Sequence, residues 1–308
     1  MKLVVTGGAG FIGSHLVEAL VELGEVTVVD NLSTGTLSNI QHLVDGGVRF
    51  EGFSVTDLGR LREVVQEADY VFHLAAVSDG PSSVDDPLLT NDVNVTGTMN
   101  VLLTSRDADV KRVIFTSSAS VYGDNDELPI SESFAPRPQT PYAASKITGE
   151  YYCNVFTGLY GLKTTCLRPF NAYGPRQNPD SPYSAVIPIF IQRLLRGEAP
   201  RIDWDGEQTR DFIYVKDLVR ALILAMERDV GGVYNIASGG GISINELFRV
   251  IRDIIGAEVE PTHGDRRPGD IRESVADVSR AREHLGYEPE YDLRRGLEET
   301  IDWYRQQL

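Results

Sequence analysis

The side chains best suited to chemistry in this sequence are a serine at the end of an apolar run and a tyrosine four residues before a lysine. Ser118 closes Val113-Ile114-Phe115-Thr116-Ser117, while Tyr142 and Lys146 fall at i and i+4 of a helical pattern and so share one face. Free tyrosine ionises near ~10 and is a poor base at neutral pH. A cation within ~4–6 Å lowers that value, so Tyr142 beside Lys146 can take a proton from an alcohol whose oxygen Ser118 also binds. Taken alone the pair is weak evidence, since Tyr142 could equally be a packing aromatic and Lys146 a solvated charge.

A second feature supplies the context. Residues 2–6 are apolar and β-branched, and Gly7-Gly8-Ala9-Gly10-Phe11-Ile12-Gly13 follows. A helical pattern runs from Phe11 to Leu23, and the strand-like run 26–29 then delivers Asp30. Small residues let a backbone approach a pyrophosphate whose charge sits at a helix N-terminus, and Asp30 is placed to bond ribose hydroxyls. The expected cofactor contacts here are Gly7, Gly10, Phe11, Ile12, Gly13, Asp30 and Asn31. Asp30 would repel a 2′-phosphate and Asn31 and Leu32 offer no cation for one, which favours NAD over NADP. An oxidised nicotinamide would add a second positive charge near Tyr142, and it would accept hydride from the carbon whose hydroxyl Tyr142 deprotonates.

Strand-like runs at 2–6, 26–29, 48–51, 70–73, 112–116 and 162–167 alternate with helical patterns near 11–23, 57–67, 87–105 and 142–160. This alternation predicts an α/β fold with a doubly wound parallel sheet and ligands at the carboxyl ends of its strands. After Arg168 the segment 169–185 is rich in Pro, Gly, Asn and Tyr and reads as a long structured loop. Helices are expected near 186–196, 243–255 and 294–306, with a strand at 233–236. The helices belong to a smaller, mixed α/β C-terminal lobe, and the segment 210–240 that holds the strand is expected to return to the main sheet.

The bulk numbers exclude several classes. At 308 residues, 42% hydrophobic and 24% charged, the chain is an ordinary globular composition. No apolar run approaches the ~20 residues needed to cross a membrane, and the first strand leaves no room for a signal peptide. Its two cysteines, Cys153 and Cys166, imply no disulfide framework and fit a reducing cytoplasm. The five histidines are scattered, so no metal cluster is expected. A net charge of −16 argues against nucleic-acid binding and requires specific arginines for any phosphate. Only five of the 29 basic residues are lysine. That balance serves solubility, or a cytoplasm of high salt.

With these features in place the chain resembles the extended short-chain dehydrogenases/reductases, within the NAD-dependent nucleotide-sugar epimerase/dehydratase family. Besides TGGAGFIG, the stretches HLAA (73–76), NVTGT (94–98), TSSASVYG (116–123), PYAASK (141–146), RPFNAYGPRQ (168–177), QTRDFIYVKD (208–217) and RPGD (267–270) carry the likeness over essentially the whole length. The resemblance implies a Rossmann-type domain over 1–170 to which 210–240 returns, and a nucleotide-sugar lobe from 171–209 and 241–308. It implies that Ser118, Tyr142 and Lys146 are catalytic and that Asn94 helps hold the central strands. Cofactor contacts extend to Ser54, Val55, Leu74, Ala75 and Ala76. Asn171, Arg210, Arg267 and Asp270 match positions that grip the nucleotide diphosphate and its ribose, although Arg210 beside Asp211 would alone read as a surface ion pair. In one respect the chain departs from the pattern. Relatives carry Asp where Ser54 stands, to bond the adenine amine, and Asp57 reads instead as a helix cap.

Dehydratases of this family place Asp-Glu before Val-Tyr-Gly, and decarboxylating relatives place Glu there. Here Ala119-Ser120 supplies no acid, which leaves reversible oxidation at C4 of a nucleotide sugar. By the same resemblance, the residue seven past the RPGD arginine limits the pocket beside C2 and C6. That residue is Ser274, small enough to admit 2-acetamido sugars. The expected activity is therefore an NAD-dependent UDP-hexose 4-epimerase for UDP-N-acetylglucosamine or UDP-glucose. A UDP-uronate 4-epimerase, another nucleotide-sugar oxidoreductase, or a non-catalytic NAD-binding sensor would share the scaffold. Relatives dimerise through helices matching 87–105 and 142–160, so a homodimer is expected. Val101, Leu102, Leu103 and Tyr151 would serve that face, or else the protein's own core.

Overall fold

The computed structural model describes every residue except Asp79, Asp126, 180–184, 267–270 and Leu308. Its main sheet contains β1 (Lys2–Thr6), β2 (Glu25–Val29), β3 (Arg49–Glu51), β4 (Tyr70–His73), β5 (Arg112–Thr116), β6 (Thr164–Pro169) and β7 (Gly232–Ile236). The order is β7-β6-β5-β4-β1-β2-β3, parallel throughout. Because β1 pairs with β2 on one side and β4 on the other, the strand order reverses there, and a crevice opens at the carboxyl ends. The expected doubly wound α/β architecture is thus the one observed.

Alternation along each strand divides the core. Leu3, Val5 and Val28 face the helices Phe11–Leu20 and Val215–Glu227, burying Leu16, Leu20, Leu218 and Leu222. Val4, Val29, Val71 and Phe115 face the opposite layer, with Leu61, Val101, Leu102, Cys153 and Phe156. Each such side chain contributes roughly 1.5–3 kcal/mol when wholly buried. Val101 and Leu102 therefore belong to the internal core and cannot form a subunit face. The exposed apolar residues of that region include Tyr151, Val155, Leu159 and Tyr160, with Leu88 and Leu89.

The expected helix at 87–105 is present without a break in its helical backbone, but it is not α-helical throughout. It resolves into Pro87–Asn91, a π-helical turn Asp92–Thr96 and the helix Gly97–Asp107. Gly97 lies so close to Val55 that a Cβ would stand 2.6 Å from the Val55 Cγ2. The widened turn also presents Asn94 to two neighbouring segments.

In the C-terminal lobe the helices Val186–Leu195, Ile244–Ile255 and Leu293–Arg305 enclose Phe190, Ile191, Phe248, Ile251, Leu297 and Ile301. Its strands are short. Thr209–Asp211 lies between antiparallel Gly241–Ser243 and parallel Glu273–Ser274, and Arg201–Asp203 pairs with Thr262–Gly264. No helix among the described residues is long and apolar enough to cross a membrane.

Candidate active site

The helix Pro141–Tyr160 carries both Tyr142 and Lys146. Thr140 starts it by accepting the Ala143 N–H at 3.2 Å, Pro141 occupies the first turn, and Gly161 ends it at φ +71°. Lys146 is only 4% exposed, and its Nζ donates to the Thr116 carbonyl at 2.8 Å. That bond ties the helix to the end of β5, two residues before Ser118. The ammonium lies 5.8 Å from the Tyr142 ring centroid and 5.2 Å from that of Phe115. Burial pushes the Lys146 pKa down to about 8, against the opposing charge of Glu150 one turn along. Ser118 sits in extended backbone, and its Oγ accepts the Ser120 N–H at 3.1 Å to cap the turn Ala119–Tyr122.

Behind these residues runs a buried polar chain. Ser145 Oγ donates to the Tyr142 carbonyl at 2.7 Å and accepts from Asn94 Nδ2 at 2.9 Å, while the Tyr142 N–H donates to Ser83 Oγ at 3.0 Å. Asn94 also exchanges bonds with the backbone of Val77, its Oδ1 accepting at 2.7 Å and its Nδ2 donating at 3.0 Å. The Thr98 hydroxyl donates to the Asn94 carbonyl at 2.6 Å, so it must accept from His73 Nε2 at 2.8 Å. His73 Nδ1 then accepts from Thr6 Oγ1 at 2.8 Å. Burial, reinforced by the Lys146 charge, pushes the His73 pKa down to about 3, which suits this neutral tautomer. The sequence reading assigned Asn94 to holding the central strands, and it does bridge β4's exit loop to the Tyr142 helix. His73 and Ser145 had not been singled out, although both lie inside the quoted HLAA and PYAASK stretches.

An ion pair was also missed. Glu150 and Arg168 are both 4% exposed. Arg168 Nε and Nη2 donate to the two Glu150 oxygens at 2.8 and 2.6 Å, and Ser117 Oγ donates to Oε1. The only sequence signal was a glutamate at i+4 from Lys146.

The glycine turn meets the requirements of a dinucleotide. Gly7 stands at φ +72° with Ala75 so near that a Cβ would lie 2.7 Å from its nitrogen, and a Cβ on Gly13 would lie 2.1 Å from the Gly7 carbonyl oxygen. Gly10 precedes the helix Phe11–Leu20, whose N-terminus has no side-chain cap and so leaves its first amides to another acceptor. Phe11 and Ile12 open that helix and pack toward the C-terminal lobe. Asp30, buried at the end of β2, accepts from Ala9 N at 2.9 Å and Leu32 N at 2.8 Å, and a carboxylate so engaged keeps lone pairs for further donors. These residues fit NAD. Asn31 is exposed and accepts the Ser33 N–H at 3.1 Å. Leu74 N and Ala75 N bond to the Thr6 carbonyl (3.1 Å) and hydroxyl (3.3 Å), which sets residues 74–76, with Ala76, across from the turn. Ser54 Oγ accepts from Thr56 Oγ1 at 2.9 Å, Val55 is buried against Gly97, and Asp57 caps the helix Leu58–Val65.

On the facing lobe, Asn171 Nδ2 donates to the Asp211 carbonyl at 3.0 Å and Arg210 Nη1 to the Thr209 carbonyl at 2.8 Å. Ser274 is half-buried and pairs in parallel register with Arg210. Arg267 and Asp270 lie outside the described residues. Asp211 is no surface ion-pair partner. It is wholly buried and accepts from Ser238 N, Ser238 Oγ, Gly239 N and Ala276 N at 2.9, 2.6, 3.1 and 3.2 Å, and burial raises its pKa. Among the described residues no group of three potential ligands could hold a metal ion.

Comparison with known proteins agrees with this geometry. The model of the NAD dependent epimerase/dehydratase family matches residues 3–237. The chain is 40% identical over 314 residues to the UDP-glucose 4-epimerase of Mycolicibacterium smegmatis, with 99% of each covered. It superposes at a TM-score of 0.97 and 42% identity on the UDP-N-acetylglucosamine 4-epimerase of Methanobrevibacter ruminantium in complex with UDP-N-acetylmuramic acid, covering 100% of this chain and 99% of that one. The corresponding values for the UDP-glucose 4-epimerase of Thermotoga maritima with UDP-glucose are 0.96, 41%, 100% and 99%. The glycine turn, the Tyr142–Lys146 helix and these likenesses together place the chain in the NAD dependent epimerase/dehydratase family.

Proposed function

We propose that the protein is a UDP-hexose 4-epimerase that interconverts UDP-N-acetylglucosamine or UDP-glucose with the galacto epimer. The observation that carries this reading is the buried Lys146, bonded to Thr116 and facing Tyr142, beside a Ser118–Val121 turn with no carboxylate. Tyr142 takes the proton of the sugar's C4 hydroxyl, Lys146 stabilises the phenolate, and Ser118 holds the same oxygen. NAD, when bound, supplies a reversible hydride acceptor next to C4. The resulting ketone turns in the pocket so that hydride would return to the opposite face of C4, while Tyr142 returns the proton to the C4 oxygen.

Gly7, Gly10, Gly13 and the first amides of Phe11–Leu20 would hold the pyrophosphate, and Asp30 the adenosine ribose. Asn171, Arg210 and Arg267 would grip the UDP diphosphate, with Asp270 on its ribose, arginine being the side chain best shaped for this. Ser274 would leave room for the acetamido group. The exposed Tyr151, Val155 and Leu159, spaced one helical turn apart, supply with Leu88 and Leu89 an apolar face for a homodimer. The cytoplasm supplies both ligands and matches the buried free cysteines.

Proton NMR of the anomeric region, after incubation with NAD and UDP-N-acetylglucosamine, tests the activity. Growth of the UDP-N-acetylgalactosamine signal to a fixed ratio is expected. No conversion of this sugar or of UDP-glucose would refute the assignment.

A further inference from the structure

The first amides of a helix have no acceptor within it, and the helix that carries Tyr142 draws on two sources to supply them. Pro141 has no N–H. Thr140 accepts from Ala143 through its Oγ1, at 3.2 Å, and from Ala144 through its carbonyl, at 2.9 Å. The Tyr142 N–H reaches outside this helix, to Ser83 Oγ at 3.0 Å. Ser83 lies in the short helix Gly80–Asp85 and is wholly buried. Its one hydroxyl proton goes to the Gly80 carbonyl, so the oxygen presents only lone pairs to Tyr142. Gly80 in turn sits against the start of the longer helix, where a Cβ would lie 3.5 Å from Thr140 Cγ2.

The far side of the same residue is held as well. The Tyr142 carbonyl accepts from Ser145 Oγ, which accepts from Asn94, and Asn94 bonds both backbone groups of Val77. Val77 and Ser83 both follow β4 in the chain. Tyr142 is therefore gripped at its N–H and, through two intermediaries, at its carbonyl by the chain that leaves β4. A tyrosine has two side-chain torsions, confined to a few wells, so a fixed backbone leaves its phenol few positions. We propose that Ser83 is a positioning residue for the base, fixing the Tyr142 backbone and with it the point where the phenol meets the C4 hydroxyl. The catalytic part of this inference rests on the reading of Tyr142 as the base. The contact itself stands on the hydrogen bonds alone.

Ser83→Ala tests it, because the acceptor is lost while every group assigned to the cofactor or the sugar nucleotide stays in place. Amide exchange followed by NMR should speed at least ~10-fold at Tyr142, with the main sheet unchanged. A misplaced reacting group costs rate rather than binding, so kcat for the UDP-sugar should fall at least ~10-fold while KM stays within about twofold. Ser83→Thr, which keeps the hydroxyl, should hold kcat within about threefold of the unsubstituted protein. Should Ser83→Ala fail to fold, Ser83→Cys, close in size but a weak acceptor, carries the same comparison. Unchanged exchange at Tyr142 would overturn the contact. Faster exchange with undiminished kcat, or a loss confined to KM, would overturn the role in catalysis. Undiminished turnover in Tyr142→Phe would contradict the base itself, and exchange in Ser83→Ala would still decide whether Ser83 holds that backbone.

Discussion

Lys146 Nζ lies 5.8 Å from the Tyr142 ring centroid while donating to the Thr116 carbonyl at 2.8 Å. A single buried cation thus joins the helix that bears the proposed base to the strand end that bears Ser118. Its charge is costly to hold there, and the cost has a measurable consequence.

With its pKa lowered from 10.5 to about 8, folded Lys146 releases its proton more readily than the unfolded chain does. Between those values the unfolded state binds more protons, so stability rises with pH, and below pH 8 the full penalty applies. Lys146→Met should therefore raise stability at pH 7 by on the order of 1–3 kcal/mol while lowering kcat at least ~10²-fold. Thermal melts at pH 7 and 10 check this, since the gain should shrink at the higher pH. A Met variant that is less stable at both pH values would contradict the buried-charge account.

The Glu150–Arg168 pair behaves differently. Removing one partner leaves the other charge buried and unpaired, so Arg168→Leu should cost about 3–5 kcal/mol. Replacing both by leucine should recover most of that loss. Urea unfolding of the single and double variants measures the coupling, and purely additive losses would show that the two residues act independently.

Ser274 is half-buried beside Arg210. If its small size admits the acetamido group, Ser274→Tyr should lower kcat/KM for UDP-N-acetylglucosamine at least ~10-fold while leaving UDP-glucose within about twofold. Equal retention of both activities would remove Ser274 as the gate.

The parallel sheet was legible because buried strands such as Val113-Ile114-Phe115 are short apolar runs set between helical periods. The glycine turn, Asp30 and the Tyr142–Lys146 spacing were legible because each requirement is local in sequence. The short helices Gln41–Asp45 and Gly80–Asp85 carried too few periods to be read. The π turn at Asp92–Thr96 escaped notice because tertiary contacts through Asn94 and Gly97 impose it on a helical pattern. Apolar character alone also could not separate Val101, which is core, from Tyr151, which is surface. Glu150–Arg168, His73–Thr98 and Ser83–Tyr142 join residues far apart along the chain, and periodicity holds no record of such pairings.

The most direct test of the central claim is the fate of deuterium placed on C4 of UDP-glucose or UDP-N-acetylglucosamine during turnover in ordinary water. Removal and return of hydride at one carbon, with Tyr142 handling only the hydroxyl proton, predicts that the epimer keeps its label on C4. Protium from solvent at C4 of the product would contradict the account and point to exchange of a carbon-bound proton instead.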